Sequence, residues 1–435
     1  MTFNSFCRFT FICFCFLVSV SAQNLGYERD RHKTMLEIIK NDVKKNYFDQ
    51  NLRGIDIEAK YKAAVEKIEQ ATSIGQMSGV IAQFLLDFDD SHLYFIPPGK
   101  ANKTDYGFEM RMIGDKCFVL KIDEKSDAAK KGLQVGDEIY SLEGYGPTRE
   151  IFWKMRYFFY GLRPRPTLKL AVIKPDGKEV NYEVIAKITP GKRVMDLTGT
   201  DINQVIREEE AAYNKSVKQY FYDKTDGLLI WKMPHFSLEP SKVDDIMDKA
   251  KKSQALILDL RGNGGGRVDM LLRLIGNFFS ENIKVADEKR RKETKEITAK
   301  SRGKDIFNGK LIVLIDSDSG SASEVFSKVI QLEKRGTVIG DRSAGAVMES
   351  RYFGHQTGLD VVAFYGASIT IADLIMKDGK SLEKIGVMPD ETLIPTAKDI
   401  AANRDIVLAR AVELLGFKMS SEEAGKIFPI EYEGR

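Results

Sequence analysis

Leu256-Ile257-Leu258-Asp259-Leu260-Arg261-Gly262-Asn263-Gly264-Gly265-Gly266 is the stretch that decides how this chain folds. Residues 255–260 are apolar almost without interruption and run straight into a cluster of glycines. A continuous run of this kind suits a strand buried on both faces and covered by helices. Residues 227–231 and 311–315 repeat the pattern, and 270–279 and 321–334 carry helical periodicity between and after them. The sequence therefore predicts an α/β core over 191–420, followed by a tail over 421–435. Glycine is required where φ is positive or where backbone must approach a ligand closely. An oxyanion hole made from a main-chain N–H has that need, and a sharp turn is the plainer reading. A Walker-type phosphate loop is excluded, because no Gly-Lys-Ser/Thr ends the run.

Downstream, strand 311–315 leads through Asp316-Ser317-Asp318-Ser319-Gly320 to Ser321, and Ala322, Val325, Phe326, Val329 and Ile330 then form an apolar helical stripe. Ser321 thus falls at a strand-to-helix turn, beside unpaired N–H groups and the positive end of the helix dipole. Such groups stabilise the oxyanion of a tetrahedral intermediate. Two readings stand at this point: a nucleophile, or an N-cap whose capping box is completed by Glu324.

Upstream, residues 28–88 read as three amphipathic helices, giving a helical domain over 23–102 that ends at Pro97-Pro98. From 103 to 190 short strands take over. The run Asp127-Ala128-Ala129-Lys130-Lys131-Gly132-Leu133-Gln134-Val135-Gly136-Asp137-Glu138-Ile139-Tyr140-Ser141-Leu142-Glu143-Gly144 resembles the characteristic stretch of a PDZ domain. That resemblance implies an added peptide strand, with its terminal carboxylate held by N–H groups near Tyr106, Gly107 and Phe108. Residues 191–226 read as a linker plus a helix, and the charged stretch 287–304 as a solvated loop or helix face.

The first 22 residues stand apart. Arg8 is their one charge, residues 9–20 are almost unbroken apolar sequence, and Val20-Ser21-Ala22 precedes polar Gln23. This is the layout of a secretory signal peptide, and the apolar run is shorter than the roughly 20 residues that span a bilayer. No later segment is long and apolar enough to span, so an exported periplasmic or extracellular protein with no stable membrane span is expected. Past Ala22 one cysteine remains, Cys117, which excludes an intramolecular disulfide and reads as a buried small hydrophobe. The 66 basic residues are nearly matched by 63 acidic ones, so no nucleic-acid-binding face is implied.

Residues 256–266, the run Ser319-Gly320-Ser321-Ala322-Ser323-Glu324-Val325-Phe326 and the run Leu382-Glu383-Lys384-Ile385-Gly386-Val387-Met388-Pro389-Asp390 together resemble the C-terminal-processing and tricorn-type serine peptidase family. The order of parts is similar too: a helical piece, a PDZ module, then an α/β core. The resemblance implies a ClpP/crotonase-like core and an acyl-enzyme mechanism that needs no metal and no cofactor, acting on polypeptide substrates or peptide C-termini. In C-terminal-processing members a lysine partners the serine; its place here is taken by Ala346, and Lys328 sits further along the helix. The tricorn type uses a histidine instead, and Ser91, His92 and Glu383 match that pattern. The resemblance then makes Ser321 the nucleophile, His92 its base, Ser91 and Glu383 the groups that orient the imidazole, and Ala322 with Gly264 or Gly265 the oxyanion hole. A non-catalytic ligand- or peptide-binding protein on the same scaffold is the alternative. Expressed with its leader in a secreting host, the protein is expected to begin at Gln23 by intact mass; a mature chain that retains Met1 contradicts the signal-peptide reading.

Overall fold

The computed structural model describes residues 4–98, 102–190, 218–224, 226–357 and 363–428. The expected linker and helix fall largely within 191–217, outside the described residues. The chain forms two compact units: 1–99 with 158–163 and 349–372, and 100–157 with 164–348 and 373–435. The first unit takes in two later pieces of chain that no sequence boundary announces.

In the first unit the helices are Asn4–Asn46, Ile57–Gln70 and Ile74–Leu86. Asp56 accepts hydrogen bonds from the N–H groups of Glu58 and Ala59, and Ser73 from that of Gln76, so both later helices start at side-chain caps. Leu36, Ile39, Val43, Ile68, Ile81 and Leu85 are buried, in keeping with the apolar stripes of the sequence. After the third helix the chain turns and pairs Tyr94–Ile96 antiparallel with the strand Ala363–Met376, setting Phe95 opposite Ala367. That pairing anchors the turn carrying Ser91 and His92.

The second unit contains a five-stranded antiparallel sheet, running in order from Phe108–Ile113 through Lys116–Ile122, Glu138–Leu142 and Thr167–Ile173 to Glu179–Ile185, and the helix Arg149–Arg156. Cys117 is buried in it, as its apolar neighbours imply. The unit also holds a six-stranded sheet. There Leu228–Lys232, Ala255–Asp259, Lys310–Ile315, Thr337–Gly340 and Glu391–Thr392 are all parallel, and Tyr220–Lys224 is antiparallel at one edge. Alternate strand residues go to opposite faces. Trp231, Leu258, Val313 and Val338 pack with the helices Pro240–Ala250, Val268–Gly276 and Ala322–Leu332, while Ile230, Ile257, Leu314 and Ile339 pack with Ile406–Leu414 and Ser421–Ile427. Both faces are covered, which is why these strands read as unbroken apolar runs.

Two elements depart from the sequence reading. Part of 421–435, expected as a tail, is the helix Ser421–Ile427, whose Ala424 packs into the core against the sheet because its apolar residues complete that face. Much of the charged stretch 287–304 belongs to an antiparallel hairpin, Ile283–Arg290 with Thr294–Ala299. Val285, Ala286 and Ala299 go to the core with Ile283 and Ile297 packed beside them, and ion pairs such as Lys284 with Asp287 occupy the open side. A hairpin with one wet face shows too few apolar residues to stand out from a solvated loop.

Candidate active site

The parallel strands Ala255–Asp259 and Lys310–Ile315 end side by side, so the two turns that follow them are neighbours. Asn263 fastens one to the other. It is fully buried; its Oδ1 accepts from the N–H of Gly265 (2.9 Å) and its amide donates to Met233 O (2.7 Å). Its carbonyl accepts from Gly320 N–H (3.0 Å) and from the Ser323 hydroxyl (2.8 Å). Arg261 braces the same turn, bonding both oxygens of buried Asp259 and both oxygens of Asp405. The Arg261 charge holds the Asp259 carboxyl well below its ordinary range despite burial.

Ser321 stands at the head of the helix Ala322–Leu332 with φ 52° and ψ −117°. Positive φ at a non-glycine residue is uncommon and costs on the order of 1–3 kcal/mol unless the surroundings enforce it. Glu324 enforces it. This fully buried carboxylate accepts from Ser321 N–H (3.0 Å) and Ala346 N–H (3.0 Å) on one oxygen. On the other it accepts from Gly345 N–H (2.8 Å) and the Ser343 hydroxyl (2.6 Å). Burial pushes its pKa up to about 7, and the four donors pull in the opposite direction. The sequence assigned Glu324 to a capping box; that bond to Ser321 N–H exists, but it is one of four.

The glycine turn lies against Ser321. A Cβ on Gly265 would stand 2.6 Å from Ser321 Cβ and 2.9 Å from Ala322 N, and the residue has φ +101°. Glycine is therefore obligatory there, and it leaves Ala322 N–H uncovered. Among the described residues neither Ala322 N–H nor Gly264 N–H meets an acceptor. Gly265 N–H is engaged by Asn263, so of the two glycines named from sequence Gly264 holds the unpaired donor.

Glu383 reaches the same turn through one further loop. Its Oε2 accepts from Val347 N–H (3.0 Å), and the preceding residue, Ala346, accepts Ser321 N–H through its carbonyl (2.9 Å). The Glu383 loop is latched to this strand of chain by Lys384 N–H to Gly345 O (2.7 Å) and Val387 N–H to the Ser343 hydroxyl (2.6 Å). Lys328 is ion-paired with Asp378 at 3.1 Å. Ser321, Ala322, Gly264, Gly265 and Glu383 thus belong to one connected set in the second unit.

Ser91 and His92 belong to the first unit and are joined to each other: Ser91 Oγ lies 2.8 Å from His92 Nδ1. With the ring proton on Nδ1, Nε2 carries the free lone pair. Burial lowers the His92 pKa, which keeps the imidazole neutral and able to accept a proton.

The segment expected to bind a peptide carboxylate is less open than the sequence implied. Tyr106 and Phe108 are buried, and the Tyr106 hydroxyl is fixed by Arg165, donating to its carbonyl and accepting from its N–H. Gly107 N–H donates to Asp105 Oδ1 at 2.9 Å, so a carboxylate arriving there has to displace one already in place. The hairpin that starts at Phe108 stands on the turn before Ser321 and on Asp341. Arg111 bonds Asp316 and Asp318, Gly114 N–H bonds Asp341, Ser317 Oγ donates to Met112 O, and Arg149 pairs with Asp341. Arg156, on the helix Arg149–Arg156, lies 3.5 Å from Asp318.

Residues 228–393 match the family profile described as Peptidase family S41. Over that segment the chain is similar to the peptidases of family S41. Relatives include the tail-specific protease of Haemophilus influenzae, 24% identical over 388 residues, which covers 83% of this chain and 52% of that protein. The carboxy-terminal-processing protease of Bartonella bacilliformis is 27% identical over 324 residues, covering 74% and 68%. A CtpA-like serine protease of Staphylococcus haemolyticus is matched over 55% of its length, so the chain spans about half of two of these relatives. Among solved structures, mature CPAF superposes with TM-score 0.64 at 16% identity, covering 86% of this chain and 94% of that one. This last likeness concerns the fold: N-terminal helices, antiparallel sheets and a mixed α/β core.

Replacing Glu324 by Gln turns an amide N–H₂ toward N–H donors and leaves them unsatisfied, at about 1–3 kcal/mol. Glu324→Gln is therefore expected to fold and to lower kcat about 10- to 100-fold, with little change in KM on any peptide it cleaves. Wild-type kcat in that variant contradicts the role given to the carboxylate.

Proposed function

We propose that this protein is an exported serine endopeptidase that cleaves polypeptides through an acyl-enzyme on Ser321. The observation that carries the reading is the nucleophile turn: a serine at positive φ on a helix N-terminus, pressed against Gly265, with the N–H groups of Ala322 and Gly264 unpaired beside it. His92 takes the Ser321 proton as general base and returns it to the leaving amine. Ser91, on Nδ1 of the imidazole, passes the orienting influence of Glu383, and the two N–H groups receive the oxyanion. Ala346 stands where a catalytic lysine is expected in C-terminal-processing relatives, and the ion pair of Lys328 with Asp378 argues against a substitute from the helix. Both facts favour the histidine-dependent, tricorn-type scheme.

The scheme is tested by hydrolysis of unfolded casein. Ser321→Ala and His92→Ala are each expected to reduce kcat by at least about 10³-fold, with the thermal transition retained. Lys328→Ala is expected to stay within about threefold of wild type, a surface ion pair being worth little. A dead Lys328→Ala beside an active His92→Ala overturns the choice of base.

The antiparallel sheet of residues 103–190 is proposed to act as a PDZ module that captures substrate ends. Its hairpin bonds the turn before Ser321 at Asp316, Ser317 and Asp318, and Asp341 beyond it, which supports a role next to catalysis rather than as a detached adaptor. A peptide with a free C-terminus is expected to show a lower KM than the same peptide amidated, at similar kcat; equal KM values contradict carboxylate capture.

A further inference from the structure

The turn that presents Ser91 and His92 is built around a second buried carboxylate. Asp90 is 1% exposed. Its Oδ2 accepts from the Tyr47 hydroxyl at 2.9 Å. Its Oδ1 accepts from the Thr370 hydroxyl at 2.7 Å and from His92 N–H at 2.9 Å. Arg53 approaches to 3.5 Å without closing a short ion pair, and its guanidinium donates instead to the carbonyls of Phe88 and Asp89. Three separate segments of the unit therefore converge on one anion: the region where the first helix ends, the turn after it, and the strand Ala363–Met376.

The bonding pattern does not require that anion. Tyrosine and threonine hydroxyls both donate and accept, so an asparagine amide could satisfy Tyr47 while its oxygen kept Thr370 and His92 N–H. An uncompensated buried charge is costly, and a neutral side chain of the same shape avoids the cost. What the charge can do is act on the imidazole two residues along the chain. Ser91, the group on His92 Nδ1, is neutral, so the contact that orients the ring places no charge against it.

We propose that Asp90 is a positioning residue for His92, fixing the main chain that carries the imidazole and stabilising the cation that forms on it when it takes the nucleophile's proton. This rests on the reading of His92 as the base. Among the described residues of the unit, the titratable and charged groups about this turn include Tyr47 on its helix side with Asp49 beyond it, Arg53 from the following turn, and Asp89 and Asp90 on the turn itself; Thr370, on the strand, is uncharged. Among them the Asp90 charge opposes the effect of burial on His92.

The experiment is the pH profile of kcat/KM for full-length Asp90→Asn on casein-derived peptides, beside His92→Ala. Loss of the anion is expected to lower kcat at least about tenfold, leave KM within about twofold, and move the acid limb down by about one pH unit. An unmoved limb with wild-type kcat, or a limb moved upward, overturns the proposal. If Asp90→Asn does not fold, Arg53→Met decides. Removing the cation that partly offsets Asp90 is expected to move the limb upward, and an unmoved limb overturns the proposal. An active His92→Ala removes the base assignment itself, whereas an inactive His92→Ala with a wild-type Asp90→Asn removes this inference alone.

Discussion

The buried Glu324 carboxylate is the constraint from which the proposed catalytic turn takes its shape. Its two oxygens collect four donors, from Ser321 and from residues 343–346. Nothing intrinsic to serine favours positive φ; the Glu324 carboxylate and the Ala346 carbonyl, which share the Ser321 N–H, hold the residue there. The strain is thus held by a hydrogen-bonded anion, and the energy that pays for it comes from the sheet and helices that bury the anion.

A second consequence is that the separate loops behave as one body. Asn263 joins the glycine turn to the nucleophile turn, Ser343 joins Glu324 to Val387, and Val347 joins the Glu383 carboxylate to the same strand of chain. The hairpin beginning at Phe108 is added to this body through Arg111 and through Gly114 with Arg149, which reach Asp316 before Ser321 and Asp341 beyond it. The antiparallel sheet and the turn that carries Ser321 are therefore separated by few side chains, several of them charged pairs of restricted geometry.

Much of this was legible in the sequence where the signal is local. The buried parallel strands appear as apolar runs because both faces are covered, and Ser321 appears at a helix start because its own helix carries the stripe. The glycines at 264–266 signal a close approach without saying to what; the structure identifies the neighbour as Ser321. Residues whose partners are distant in the chain were not legible. Glu324 shows only its bond to Ser321 N–H, since Ser343, Gly345 and Ala346 lie in another loop. Asn263 looks like turn filler, and Asp90 like one of several acids before a histidine. The hairpin in 283–299 escaped because its open face is charged. At Gly107 the residue type was informative, but Asp105, two positions earlier, already holds its N–H.

The central claim is that Ser321 is the group that becomes acylated. The most direct measurement is tandem mass spectrometry of the wild-type chain after reaction with a fluorophosphonate. The account predicts a single phosphonylated residue, Ser321, with labelling prevented by prior unfolding. A stoichiometric adduct on any other residue, or a folded and active peptidase that takes no label, would contradict it.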